Sequence, residues 1–150
     1  TAKRRLEAGH VSVAQINQKT AEGLTALHCA CGAVDERPDV VQLLLQEGAD
    51  PNVSDSEGTT PLHLCAQTSE VELARILLQS NGQGGRTNVN QVDVRGATAL
   101  HLAVVPAVVE NDGQWDSAAA LVRLLLESGA DAQIKDRRGK TVADYARHQR

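Results

Sequence analysis

Gly58-Thr59-Thr60-Pro61-Leu62-His63-Leu64-Cys65-Ala66 is the stretch around which this chain is organised. It recurs as Gly23-Leu24-Thr25-Ala26-Leu27-His28-Cys29-Ala30 and as Gly96-Ala97-Thr98-Ala99-Leu100-His101-Leu102-Ala103. An altered copy follows as Gly139-Lys140-Thr141-Val142-Ala143-Asp144-Tyr145-Ala146. The leading residues Gly23, Gly58, Gly96 and Gly139 stand 35, 38 and 43 residues apart. Between the copies runs a second block, Val40-Val41-Gln42-Leu43-Leu44-Leu45-Gln46-Glu47-Gly48-Ala49-Asp50. It reappears as Leu121-Val122-Arg123-Leu124-Leu125-Leu126-Glu127-Ser128-Gly129-Ala130-Asp131 and, more loosely, as Val71-Glu72-Leu73-Ala74-Arg75-Ile76-Leu77-Leu78. Two unlike blocks recurring in one order mark an internal repeat.

Each block carries its own structural instruction. Thr60 can cap a helix N-terminus, and Pro61 suits the first helical position because its missing N–H would be unbonded there anyway. The helix that follows is short, and Leu62, Leu64, Cys65 and Ala66 give it small apolar surface. The second block predicts a helix with little polar face, because Val40, Val41, Leu43, Leu44 and Leu45 nearly surround it. One helical hairpin cannot cover such a helix; stacked copies can. Leu44 and Leu125 are therefore expected in the core, where truncation to alanine costs about 2–5 kcal/mol. Gly48 and Gly129 fall where a left-handed residue ends a helix. Asp55-Ser56-Glu57-Gly58, Asp93-Val94-Arg95-Gly96 and Asp136-Arg137-Arg138-Gly139 supply turn chemistry for a hairpin between units.

The repeat resembles the ankyrin family, whose period is about 33 residues and whose signature is Thr-Pro-Leu-His-x-Ala. Thr60-Pro61-Leu62-His63 reproduces its opening, while Ala26 and Ala99 replace the proline in two other copies. The resemblance spans nearly the whole chain. It implies an all-α repeat solenoid of stacked helix–turn–helix ankyrin repeats joined by β-hairpin-like fingers. Residues 1–150 then form one array: a partial repeat at 1–19, repeats at about 20–54, 55–92 and 93–135, and a partial repeat at 136–150. Such incomplete ends suit a fragment of a longer protein. Residues beyond the family unit fall around 34–38, 81–87 and 106–115. The first two read as surface slack, and the third as either a connection or a binding loop. Asp144 replaces the histidine of the fourth copy, and Thr20 stands where the other fingers have aspartate. Both departures are of the kind expected at array ends.

Composition bounds what such an array can do. The 150 residues include 19 acidic and 15 basic side chains, for a net charge of -4, and 41% are hydrophobic. With no Phe, no Met, one Trp and one Tyr, the core must be built from Leu, Val, Ile and Ala. No apolar run approaches the roughly 18 residues of a membrane span, and the polar start Thr1-Ala2-Lys3-Arg4-Arg5 leads into no signal-like stretch. Cys29, Cys31 and Cys65 are too few for a disulfide framework and are expected as reduced thiols at small buried positions. The chain reads as intracellular, cytoplasmic or nuclear, with no membrane insertion. Net acidity and scarce aromatics argue against single-strand nucleic-acid binding.

No catalytic set emerges. His28, Cys29, Cys31, His63 and Cys65 do not reproduce the paired ligand spacings of structural zinc. The family resemblance instead implies that each histidine makes hydrogen bonds within and between repeats. No Asn or Asp recurs where it could orient a Cys–His pair. Gly82-Gln83-Gly84-Gly85 lacks the Lys-Ser/Thr and following helix of a phosphate loop. The expectation is a non-enzyme without metal or cofactor.

Recognition is what remains. The resemblance implies a concave surface made of fingers and first helices, with variable positions displayed there. The candidates are Ser54, Ser56, Glu57 and Thr59 on one finger, with Gln67 and Thr68 on its helix. The next finger offers Val92, Val94, Arg95 and Ala97, and the last offers Lys135, Arg137, Arg138 and Lys140. Residues 132–150 hold six basic and two acidic side chains, whereas the body of the chain is acidic. That asymmetry favours a partner protein or peptide of mixed charge, bound by a monomeric array acting as scaffold, adaptor or regulatory inhibitor. The alternatives are a nucleic-acid module using the basic last finger and a structural spacer within a larger protein. Trp115 precedes a candidate cap at Asp116 and reads either as a hydrophobic staple or as an exposed anchor.

Overall fold

The computed structural model describes residues 12–32, 37–80, 86–104 and 115–147, apart from the side chains of Trp115 and Asp116. The Trp115 staple, the first eleven residues of the partial repeat at 1–19, most of the insertions and the Gly82–Gly85 run lie outside the described residues. Within them, the sequence blocks become paired helices. The first-block helices are α2 (Ala26–Cys31), α4 (Pro61–Gln67), α6 (Ala99–Val104) and α8 (Val142–Arg147). The second-block helices are α3 (Pro38–Gln46), α5 (Val71–Gln79) and α7 (Trp115–Glu127), and a single turn, α1 (Val13–Ile16), precedes them all. Helix α2 packs on α4, α4 on α6 and α6 on α8, forming one layer. Helices α3, α5 and α7 form the second, and each hairpin packs internally. The result is a two-layer all-α repeat stack.

Capping explains why the short helices start where they do. Thr25 and Thr60 stand in extended backbone, and each hydroxyl oxygen accepts the amide N–H of the histidine three residues on. Pro61 occupies the first turn, as its lack of an N–H allows. The core then runs continuously through Leu27, Val41, Leu45, Leu62, Leu73, Leu77, Leu100, Leu121 and Leu125. Leu125 is fully enclosed, but Leu44 is only half-buried. Val41 and Leu45, four residues apart, take the inward face of α3 and turn Leu44 to its flank. A second correction concerns α7: its helix already begins at Trp115, so Asp116 lies inside the first turn instead of capping it.

The cysteines divide. Cys31 and Cys65 are buried, whereas Cys29 is exposed, against the expectation of three buried sites. Cys29 stands in the register of Leu64, Leu102 and Tyr145, a position that is only partly buried in each of those copies. Cys65 is held as a thiol: hydrogen bonding with Cys31, then burial, pushes its pKa well above the ordinary thiol range.

The fingers are turns closed by backbone and carboxylate; no strand forms among the described residues. In the second finger the Asp55 amide donates to the Thr59 carbonyl at 3.0 Å, and Asp55 Oδ1 accepts the amides of Glu57 and Thr59 at 2.8 and 2.9 Å. Asp93 and Asp136 repeat this pattern. Thr20 supplies a single acceptor in place of the missing carboxylate, with its hydroxyl oxygen 3.2 Å from the Leu24 amide. Gly58 is obligatory on two counts: its φ is +75°, and a Cβ there would stand 2.9 Å from the backbone nitrogen of Val94.

Candidate functional site

Two ladders hold the repeats in register. Along the fingers, the amide of Ser56 donates to the Glu22 carbonyl at 3.0 Å, Val94 to Glu57 at 3.0 Å, and Arg137 to Arg95 at 2.9 Å. Away from the fingertips, Asn17, Asn52 and Asn90 each bridge a carbonyl and an amide two residues apart in the following unit. Asn17 takes the Gly48 carbonyl and the Asp50 amide, Asn52 those of Arg86 and Asn88, and Asn90 those of Gly129 and Asp131. Sequence reasoning missed these asparagines, although their spacing of 35 and 38 residues matches that of the glycines.

The histidines belong to this scaffold. Nδ1 of His28, His63 and His101 accepts the amide N–H of the threonine cap, each at 3.2 Å. A ring nitrogen that accepts carries no hydrogen, so Nε2 is the donor. It reaches the carbonyls of Thr59, Ala97 and Lys140 at 2.8, 2.9 and 3.2 Å, crossing to the next unit in every case. With both nitrogens engaged, none of the three presents a lone pair to a metal. Burial lowers the His63 pKa, partly offset by its bond to the Ala97 carbonyl and by the carboxylates of Asp93 and Asp55. Asp144 keeps half of this device. Its carboxylate accepts the Thr141 amide at 2.9 Å and the Thr141 hydroxyl, and those two bonds hold its pKa below the ordinary range. A carboxylate has no donor to pass onward.

On this frame the fingertips present a graded row. The position before each finger glycine is Glu22, Glu57, Arg95 and Arg138 in turn, so the charge reverses midway along the stack. The preceding position runs Ala21, Ser56, Val94 and Arg137. Glu22, Ser56, Glu57, Val94, Arg95, Arg137 and Arg138 are all exposed. Val92 and Val94 are 44% and 41% exposed, an unusual outward display of aliphatic surface on one finger.

Only part of the expected surface converges. Val94, Arg95, Arg137 and Arg138 border one groove of about 440 Å³ between the third and fourth fingers. Leu102 and Tyr145 form much of its helix side, and neither was singled out from sequence. Ser54, Ser56, Glu57, Thr59, Gln67, Thr68, Val92, Lys135 and Lys140 do not line it. Gln67 and Thr68 are exposed at the C-terminal end of α4, where the Thr68 hydroxyl donates to the Leu64 carbonyl at 3.0 Å. The Ser54 carbonyl accepts from Lys19, the carbonyls of Thr59 and Lys140 serve the histidines, and Ala97 is buried.

The groove's own acids are already occupied. Asp136 accepts the amides of Arg138 and Lys140 on one oxygen and the Tyr145 hydroxyl on the other. Desolvation pulls its pKa upward, but these three bonds outweigh it and set the carboxyl below its ordinary value. The bond to Asp136 correspondingly raises the Tyr145 hydroxyl. The Tyr145 ring also meets His101 edge-on, with centroids 6.0 Å apart. Asp93 takes the amides of Arg95 and Ala97 and lies 3.3 Å from the Arg95 guanidinium. Among the described residues, Arg137 and Arg138 form no salt bridge.

The family model for ankyrin repeats (3 copies) matches residues 4–83 and 32–136. Human ankyrin repeat and SOCS box protein 16 is 35% identical over 148 residues, which cover 79% of this chain and 32% of that protein. NF-kappa-B inhibitor alpha of Sus scrofa is 29% identical over 113 residues, 75% of this chain and 32% of the inhibitor. The E3 ubiquitin-protein ligase KEG of Arabidopsis thaliana is 36% identical over 112 residues, 74% of this chain but 6% of the ligase. The chain thus spans about a third or less of these relatives. Paired helices, threonine–histidine caps, linked fingers and the matched family model agree: this chain belongs to the ankyrin-repeat family.

Proposed function

We propose that the chain is a non-catalytic protein-interaction module that presents its fingers and inner helices to a partner protein or peptide of mixed charge. The observation that carries this reading is the fingertip row Glu22, Glu57, Arg95 and Arg138, held at fixed spacing by finger-to-finger backbone bonds. A surface ordered before its partner arrives loses little entropy on binding, so its charges act as specificity at low cost. An adaptor, scaffold or regulatory inhibitor uses such a surface. The relatives named as an inhibitor, a SOCS box protein and a ligase match this chain over a third or less of their own length. Buried free thiols at Cys31 and Cys65 fit a reducing, intracellular compartment, and a monomeric array leaves the whole surface available.

A pull-down comparing the 150-residue chain with a variant carrying Glu22→Lys, Glu57→Lys, Arg95→Glu and Arg138→Glu tests the reading. Proteins retained by the first and lost by the second are expected. Equal capture by both refutes display through the fingers. The rival nucleic-acid reading uses the exposed Lys135, Arg137 and Arg138; it requires oligonucleotide binding that weakens steeply with salt.

A further inference from the structure

We propose that the groove between the third and fourth fingers docks an acidic linear segment of a partner protein, with an aliphatic side chain seated between carboxylates. This rests on the interaction-module reading and adds the chemistry of one partner segment.

The charge argument comes first. Arg95, Arg137 and Arg138 border the groove, and the two carboxylates beside them each already accept three hydrogen bonds from within the array: Asp136 from two amides and Tyr145, Asp93 from two amides and Arg95. Among the described residues neither acid forms a salt bridge with Arg137 or Arg138, so both exposed guanidinium groups keep their donors available to a partner. Arginine matches a carboxylate through two parallel N–H bonds, so a pair of them selects closely spaced acids.

The apolar part supplies the second requirement. Val94 is 41% exposed on the finger wall, and Leu102 is half-buried across from it on the inner helix. A fully hydrated acidic chain gains nothing from these surfaces; an aliphatic residue does. At about 440 Å³ the space falls within the range of sites that hold small ligands or a few residues, roughly 300–1,000 Å³. The acidic fingertips Glu22 and Glu57 lie along the same row and repel continuation of the acidic run in their direction. They fix which way along the stack the segment lies.

The test is an NMR titration of the 150-residue chain with the synthetic peptide Gly-Asp-Glu-Leu-Asp-Glu-Gly. Expected are saturable shifts centred on the amides of Arg95, Leu102, Arg137 and Arg138. The peptide with Asn and Gln for its acids should not bind, and the peptide with Ser for Leu should bind at least fivefold more weakly. Arg137→Glu with Arg138→Glu should weaken the parent peptide at least tenfold, while Glu127→Gln, exposed on α7 outside the groove, should leave its affinity unchanged. Shifts elsewhere, indifference to the leucine, or unchanged affinity in the arginine variant would overturn the proposal. Indifference to leucine, with a dodecamer of single-stranded DNA competing equally well, would identify simple polyanion attraction instead. If the peptide fails while the four-finger variant still loses captured proteins, only the groove assignment falls. If capture never depended on the fingers, the broader reading falls by its own test.

Discussion

Replacing Gly58 with alanine forces an L side chain to φ +75° and pushes its Cβ against the backbone of the next finger. We expect about 1–3 kcal/mol of destabilisation, read as a lower urea midpoint; an unchanged midpoint would show that the fingers slide freely. Histidine 63 sets a pH dependence. Burial lowers its folded pKa below the ordinary value of about 6.5. As pH falls through that value the unfolded chain takes up a proton that the folded chain does not. This contribution therefore costs nothing above pH 7 and reduces stability from about pH 6.5 down to the lowered folded pKa. The slope for one proton is at most about 1.4 kcal/mol per pH unit. Urea midpoints at pH 7.5 and 5.5 should differ in that sense. Asp136 and Asp144, held below the usual carboxylate range, act in a more acid window. Their stabilisation is complete above about pH 4 and is lost as pH falls through their lowered values.

At the scale of elements, Leu125 in α7 is the sharper probe of helix packing. Leu125→Ala should cost about 2–5 kcal/mol, because the side chain is wholly enclosed. Leu44→Ala should cost about half as much, because half-buried apolar surface loses proportionately less on truncation. Equal costs would mean that α3 packs with a different face inward. This pair shows what the sequence could and could not convey. The apolar run 40–45 states that a helix must be covered, but where nearly every position is apolar, periodicity cannot say which face turns inward. The short helices were legible in detail because a cap, a proline and a histidine each have a definite geometric use. The asparagine bridges were not, although their period was visible. An amide that can serve a turn, a cap or a neighbour declares its role only when the next unit is in place.

At the scale of the whole molecule, the charge reversal along the fingers was readable, since it needs only the register before each glycine. The groove was not, because Leu102 and Tyr145 come from different units and enclose space only after stacking. Arg137→Glu with Arg138→Glu should shift stability by no more than about 0.5 kcal/mol, as exposed substitutions away from the core do, and thermal melting checks this. A large loss would give the last finger a folding role. The groove's outer wall combines the fourth finger with Tyr145 of α8, a helix that buries only Val142 and is tied back by the Tyr145–Asp136 bond and by the 3.2 Å bond from His101 to the Lys140 carbonyl. So thinly anchored a wall should open far more often than α4 does. An occupant gripping it then becomes part of its anchorage: at ten times its Kd, a ligand adds about 1.4 kcal/mol against any opening that destroys its site. Amide exchange should accordingly slow first at residues 142–147 when the groove is filled, while α2 and α4 keep their rates.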